Sequence, residues 1–172
     1  MNIGWVEFYI GLAFAVSQKS KDITKHGCVI TDNENEILGL GFNGPPKGFP
    51  DYDMPTHREH NNAPNKYDVT IHAEVNAVSN CQHKPINGIA YVTGKICPPC
   101  LSHLYQNGIR RLYMFDRTSI MLDERTDKVF NFLIEKSKLS KYGEIETHIV
   151  KPNLDWLENL VKQTTSYYKN GV

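Results

Sequence analysis

A small group of residues in the middle of the chain has the types and spacing of a hydrolytic metal site. His72 and Glu74 are separated by a single residue. Further along the chain, Cys97 and Cys100 form a Cys-x-x-Cys pair. A catalytic zinc ion takes three protein ligands and keeps its fourth position open for water. One imidazole and two thiolates fill those places, and the carboxylate of Glu74 remains to move protons. The pattern therefore predicts a Zn²⁺ site that activates water.

Neither half of this motif is specific by itself. A Cys-x-x-Cys pair also occurs in redox sites and in structural zinc sites. In this order, histidine, glutamate and the cysteine pair form the signature of zinc-dependent nucleobase deaminases. Two alternatives stay open: a tRNA adenosine deaminase-like enzyme, which shares the metal site, and a non-catalytic, zinc-stabilised nucleotide-binding protein. Glu74 favours catalysis, because a purely structural zinc site does not need it.

The composition predicts one soluble domain that acts on a small substrate. A chain of 172 residues suits a single domain, residues 1–172. The 19 basic and 19 acidic residues give zero net charge, and no basic stripe for polymeric nucleic acid is visible. No apolar run reaches the ~18 residues of a membrane span. A Cys-x-x-Cys pair with no sign of secretion favours the reducing cytoplasm.

Hydrophobic periodicity predicts an α/β fold. The chain begins with a helix at residues 5–17, followed by a β-hairpin with strands around residues 28–30 and 37–42. The proline-rich stretch 43–70 is predicted to be a long irregular lid or binding loop. Alternating helices and strands then argue for a three-layer α/β/α sandwich with a mixed, partly parallel five-stranded sheet. These elements are helices at 72–82, 98–106, 123–137 and 154–164, and strands at 89–93, 111–115 and 145–150.

Each half of the metal motif opens one of the predicted helices. Side chains at i and i+2 point to nearly opposite sides of a helix, so His72 and Glu74 can share a target only beyond its N-terminus. Cys97 and Cys100, at i and i+3, are neighbours on one face. The two prolines between them suit a first helical turn, whose amide hydrogens are spare. We therefore expect two helix N-termini to meet at the metal and to stabilise its thiolates.

Beyond the metal motif, the chain resembles the deoxycytidylate (dCMP) deaminases of the cytidine-deaminase superfamily. The resemblance covers residues 5–118, with the remainder similar only in outline. Residues 41–48 are similar to the Gly-Tyr-Asn-Gly segment of those enzymes, with Phe42 in the tyrosine place. Residues 17–22 and 66–77 are similar as well. The chain departs from the family pattern at Ile96, Phe115 and Thr118, which leaves substrate preference open.

The resemblance implies a cytidine-deaminase-like fold, a reaction and a set of site residues. Members of the family deaminate dCMP to dUMP, which feeds thymidylate synthesis. Many are homohexamers activated by dCTP and inhibited by dTTP. The resemblance implies that His72, Cys97 and Cys100 bind Zn²⁺ and that Glu74 shuttles protons while water attacks C4. Further expected contacts are Asn43, Ala73 and Asp116 with the substrate, Ser20, Lys21 and Lys25 with its phosphate, and Gly44, Lys47 and Asp51 with an effector.

A second metal site is a separate expectation. His57 and His60 are three residues apart in the long loop, where some relatives carry a structural zinc. Those relatives use cysteines that this chain lacks at matching places. A second zinc at this histidine pair therefore stays open, and counting the metal ions bound per chain decides it.

Overall fold

A computed structural model describes residues 3–50, 54–55, 64–116 and 123–159 of the chain. The strands are β1 (Gly27–Thr31), β2 (Ile37–Phe42), β3 (Ile89–Val92), β4 (Arg111–Phe115) and β5 (Glu146–Val150). They form one sheet in the order β2-β1-β3-β4-β5. β1 is antiparallel to β2 and β3, whereas β3, β4 and β5 run parallel. The predicted mixed, partly parallel sheet is therefore confirmed.

The helices agree with the predicted order, with differences at their ends. They are α1 (Trp5–Ser17), α2 (Lys66–Val69), α3 (Ala73–Ser79), α4 (Pro98–Gln106) and α5 (Glu124–Ser137), with a further helical segment at 155–159. α1 and α4 have the predicted bounds. α3 is shorter than the predicted 72–82, because Asn80 caps it and donates its side-chain amide to the carbonyl of Leu40 at 2.8 Å. Residues 160–164 of the last predicted helix lie outside the described residues.

α2 lies in the stretch predicted to be irregular, and its start has a local cause. The side chain of Asn65 accepts a hydrogen bond from the amide of Tyr67 at 2.8 Å. In return, the carboxylate of Asp68 accepts one from the amide of Asn65 at 2.8 Å. This capping box starts a helix of a single turn. The prolines in this stretch led to the prediction of an irregular loop, so the capping box at Asn65 was overlooked.

α1 covers one face of the sheet through an aromatic row. Val29, Tyr91, Tyr113 and His148 are cross-strand partners in neighbouring strands. The ring of Tyr91 stacks on that of Tyr113 at 5.3 Å between centroids, and Tyr113 stacks on His148 at 4.7 Å. Tyr9 of α1 packs on Tyr91 at 4.8 Å. One layer of the sandwich is thus α1 against aromatic side chains.

α3, α4 and α5 cover the opposite face with aliphatic residues. Cys28, Ala90 and Leu112 alternate with the aromatic row and point to this side. They share one buried cluster with residues of all three helices, including Ala77, Leu101, Leu104 and Phe130. Helices on both faces confirm the three-layer α/β/α sandwich. No helix in the described ranges has the length and apolar character needed to cross a membrane.

The contact between α3 and β2 brings two backbones together. A Cβ atom on Gly41 would lie 2.2 Å from the carbonyl oxygen of Ala73 and from the amide nitrogen of Ala77. Gly39 is similarly crowded, since a Cβ atom there would lie 2.4 Å from the carbonyl oxygen of Ala77. The side chain of Asn76 adds a hydrogen bond to the carbonyl of Phe42 at 2.8 Å. This contact fixes where α3 begins, and the metal motif lies at that point.

Replacing Gly41 by alanine is expected to destabilise the fold by about 1–3 kcal/mol, because backbone atoms of α3 must move to admit a methyl group. The free energy of unfolding in urea measures this loss. Gly44→Ala is the matched control, since a Cβ there meets only a ring carbon of Phe42, at 3.9 Å. If the two variants were equally stable, the close contact would not be the cause.

Candidate active site

The three predicted metal ligands meet at the starts of α3 and α4. His72 is the N-cap of α3, and Cys97 is the N-cap of α4. Neither side chain caps its own helix, so both are directed away from it. Nδ1 of His72 lies 3.2 Å from Sγ of Cys100 and 3.5 Å from Sγ of Cys97. Residues that are far apart in sequence therefore present their ligand atoms to one point.

This donor set fits zinc. All the ligand atoms lie within 4.8 Å of one another. Among the described residues, these three form the group of His, Cys, Asp or Glu side chains that could hold a metal ion. Tetrahedral bond lengths of zinc to nitrogen and sulfur place those two atoms about 3.6 Å apart, close to the observed separations. Cys100 is buried whereas His72 is exposed. The cluster is thus closed on the core side and open toward the adjacent pocket.

The two thiols hold their protons unequally. The hydrogen bond from Cys100 lowers the pKa of Cys97 to about 4, with a second contribution from His72. Donation to Cys97, together with burial, raises the pKa of Cys100. The hydrogen bond with Cys97 also raises the pKa of His72. Cys100 and His72 would have to release protons before they could act as metal ligands.

Glu74 supplies the carboxylate beside the cluster. It lies in the first turn of α3 and is 5% exposed. Burial raises its pKa, against a smaller lowering effect of its own backbone amide and of His72. A carboxylate whose pKa is moved toward neutrality both accepts and releases protons readily. This is the property that a proton shuttle needs.

A cavity of about 250 Å³ opens beside the metal cluster. Part of its lining belongs to the metal motif and its flanks, and part comes from the loop after α1, the loop after β2 and α2. The described lining residues are Asp22, Thr24, His26, Asn43, Lys66, Tyr67, Thr70, His72, Ala73, Glu74, Lys95, Ile96 and Cys97. The metal cluster thus shares this cavity with the polar residues Asp22, Asn43, Lys66 and Thr70.

Three hydrogen bonds hold the side chain of Asn43 in a single orientation among the polar residues of the pocket. Its side-chain amide donates to Oδ2 of Asp22 at 2.6 Å and to the carbonyl of Thr24 at 2.9 Å. Its Oδ1 accepts from the amide of His26 at 2.7 Å. Both amide hydrogens are thus committed, and one lone pair of Oδ1 remains. Asn43 can therefore accept a hydrogen bond from a ligand but has none left to donate.

The other predicted substrate residues are placed unequally. Ala73 lines the pocket, whereas the remaining candidates are absent from its described lining. Ser20 is buried and donates its hydroxyl to the carbonyl of Asn43 at 2.7 Å. Nζ of Lys25 donates to the carbonyl of Ser20 at 2.8 Å. Lys21 is exposed, and Asp116 pairs with Lys151 at 2.8 Å. Ser20 and Lys25 thus shape the loop that carries the pocket residues.

Of the residues predicted to bind an effector, two are described. Gly44 is buried and bridges Ile71, and Lys47 is exposed. Asp51 and the candidate second metal site at His57 and His60 lie outside the described residues. Their roles stay predictions.

Sequence reasoning missed two lysines of the pocket. Lys95 is held by Asp127 at 2.5 Å, and this aspartate comes from α5, far along the chain. No local pattern marks that pair. Lys66 lies just before the His-Ala-Glu triplet, inside a segment that the family resemblance already singled out. Its position there was the available signal, although no role was attached to it.

Comparisons with known proteins agree with this site. Residues 3–116 match the family model described as the cytidine and deoxycytidylate deaminase zinc-binding region. The chain belongs to this family. It is 35% identical over 117 residues to the deoxycytidylate deaminases of Pongo abelii and Homo sapiens, an alignment that covers 66% of this chain and 66% of each of theirs. The chain thus spans just under two thirds of the length of those relatives.

A solved structure has the same fold. It is the dCMP deaminase from the cyanophage S-TIM5 in complex with dCMP and dUMP. The TM-score is 0.58 and the sequence identity is 22%, with 87% of this chain and 99% of that chain covered. At this identity the likeness shows the fold, which is cytidine-deaminase-like.

Replacing Cys97 by serine is expected to remove one equivalent of bound metal, because a neutral hydroxyl replaces a thiolate ligand. The purified chain is loaded with Zn²⁺, dialysed and measured by elemental analysis. Cys81→Ser is the matched control, since the Cys81 thiol donates to the carbonyl of Ala77 outside the cluster. Equal zinc in the wild-type chain and the Cys97→Ser variant would disprove the assignment. A second equivalent that survives in this variant would support the site at His57 and His60.

Proposed function

We propose that the chain is a zinc-dependent dCMP deaminase that converts dCMP and water to dUMP and ammonia. The observation that carries the proposal is the convergence of His72, Cys97 and Cys100 within 4.8 Å, beside the buried carboxylate of Glu74 and a pocket. Relatives named deoxycytidylate deaminases support the substrate. The fold of a dCMP deaminase solved with dCMP and dUMP supports it further.

His72, Cys97 and Cys100 would hold the metal ion. When bound, Zn²⁺ supplies the Lewis acidity that makes water nucleophilic near neutral pH. The three residues would leave the pocket side of the ion accessible, because Cys100 is buried on the core side whereas His72 and Cys97 line the pocket. A pyrimidine ring in the pocket would then have C4 and its amino group next to this cluster.

Glu74 carries the protons of the reaction. Its carboxylate takes a proton from the attacking water and delivers it to N3 of the cytosine ring. Oxygen adds to C4 in the same stage. The carboxylate then passes the remaining proton to the amino group, the C4–N bond breaks, and ammonia leaves. Burial suits Glu74 to this work, since it raises the pKa of the carboxyl group.

Asn43 and Ala73 bind the substrate in this proposal. The free lone pair of Asn43 Oδ1 accepts a hydrogen bond, so it suits a hydroxyl group of the sugar. The neighbouring network through Asp22 and His26 holds the amide in that orientation. Ala73 has only a methyl group, so it leaves room for the base beside the metal cluster.

We also propose the wider properties implied by the family. They are a cytoplasmic enzyme of thymidylate precursor supply, a homohexamer, and control by dCTP and dTTP. The effector residues proposed for that control are Gly44, Lys47 and Asp51. Support for these properties comes from membership of the family and from the named relatives. Sedimentation measures the assembly, and unchanged kinetics with both triphosphates would remove the regulatory part.

The first test is ammonia release from dCMP by the zinc-loaded chain, beside CMP, deoxycytidine and dCTP, each with and without dTTP. Turnover of dCMP in clear preference to the others is the expected result, because the pocket combines a metal site with polar residues for a sugar and phosphate. Activity on tRNA adenosine instead would replace the substrate assignment. Silence on every substrate with zinc still bound would leave the non-catalytic alternative.

Glu74→Gln is expected to lower kcat on dCMP by ~10²–10⁴-fold, because the amide cannot move the protons. Zinc content should not change, since Glu74 is not one of the ligands. Glu124→Gln is the matched control, as Glu124 is exposed on α5 and forms a surface ion pair with Lys128. Full activity of a zinc-loaded Glu74→Gln variant would remove Glu74 from the mechanism.

A further inference from the structure

Lys66 is a buried cation that faces the pocket. It is the first residue of α2 and is 6% exposed. Lysine is rarely this buried unless a partner neutralises it. The side chain contributes to the pocket lining together with Asp22, Asn43 and Thr70. Its position is therefore set by the fold, with Nζ 3.6 Å from Oδ2 of Asp22, which lines the same pocket.

Lys66 has an ion-pair partner, but its ammonium group has no hydrogen-bond acceptor among the described residues. Nζ lies 3.6 Å from Oδ2 of Asp22, an ion pair beyond hydrogen-bond length. That oxygen already accepts from Asn43 at 2.6 Å and from the hydroxyl of Thr70 at 3.5 Å. Among the described residues no acceptor forms a hydrogen bond with Nζ, which has three hydrogens to donate. Within the described part of the chain, Lys66 therefore keeps donor capacity for an acceptor that a ligand in the pocket brings.

The other lysine of the pocket is different. Nζ of Lys95 lies 2.5 Å from the carboxylate of Asp127 and is already engaged. Lys25, on the loop after α1, donates to the carbonyls of Gln18 and Ser20 and is absent from the described pocket lining. Of these three lysines, Lys66 is the one that lines the pocket without a hydrogen-bonded carboxylate among the described residues.

We propose that Lys66 binds the 5′-phosphate of the nucleotide. The proposal rests on the proposed function, because it takes the base to lie at the metal cluster. The sugar and phosphate then extend along the rest of the lining, where Lys66 faces the cavity. A phosphate oxygen is a strong acceptor for an ammonium group. Oδ2 of Asp22 accepts hydrogen bonds from Asn43 and Thr70, so its negative charge opposes a nearby phosphate less strongly. Its ion pair with Lys66 still orients the lysine side chain.

The test compares ligands that differ only in the phosphate. Binding of dUMP and of deoxyuridine is measured by calorimetry on the zinc-loaded chain, together with kcat/KM for dCMP and deoxycytidine. In Lys66→Met we expect dUMP affinity and kcat/KM for dCMP to fall by ~10–100-fold, as for the loss of a charged hydrogen bond. Deoxyuridine binding should stay within about twofold. Lys66→Arg should recover part of the loss, and Lys128→Met, an exposed surface control, should have no effect.

The double variant Asp22→Asn/Lys66→Met guards against a folding failure. Removing only Lys66 leaves the buried Asp22 unpaired, whereas removing both charges avoids that cost. The double variant is compared with Asp22→Asn alone and should show the same selective loss of dUMP. Equal losses for dUMP and deoxyuridine, or a loss of dUMP binding in Lys25→Met but not in Lys66→Met, would overturn the proposal. Selective loss of dUMP binding in a chain that does not turn over dCMP would uphold it and refute the deaminase function.

Discussion

The close contact between α3 and β2 is the constraint on which the rest of the site depends. Gly39 and Gly41 have no side chains, so the backbone of α3 rests directly on the edge of the sheet. That contact determines where α3 begins, and the start of α3 holds both a candidate metal ligand, His72, and the proposed proton carrier, Glu74. α4, which follows β3, brings the two cysteines to the same place. A shift of about an ångström between these helices would misalign the reacting groups.

The site also collects groups that are unfavourable when buried alone. Glu74 is buried, which raises the pKa of its carboxyl group, and Cys100 is buried in the adjacent cluster. Lys66 and Asp22 form a buried ion pair a short distance along the pocket wall. Burying charge costs free energy unless it is paired or binds a metal. Glu74, Lys66 and Asp22 line one cavity, and in the proposed function a metal ion and a nucleotide would be the partners that offset their cost.

The grouping of the three candidate metal ligands was predictable from sequence, whereas the polar end of the pocket was not. His72, Cys97 and Cys100 follow short-range spacing rules at helix starts, and α4 has the predicted bounds. The network of Asp22, Asn43 and Lys66 joins residues from separate segments, so no local pattern reveals it. Ser20 and Lys25 illustrate the same limit, because a polar loop near a site does not disclose which of its side chains turn inward. The end of α3 depended on a hydrogen bond to another element.

Asn76 and Asn80 have a consequence for the protein in a crowded solution. β2 is a border strand of the sheet, and such strands can pair with strands of other molecules and start aggregation. The two asparagine amides occupy the carbonyls of Phe42 and Leu40 that a foreign strand would need. The helix that positions the Glu74 carboxylate therefore also protects this border from unwanted intermolecular pairing. Substitutions at these asparagines would then be felt first as lost colloidal stability rather than as lost chemistry.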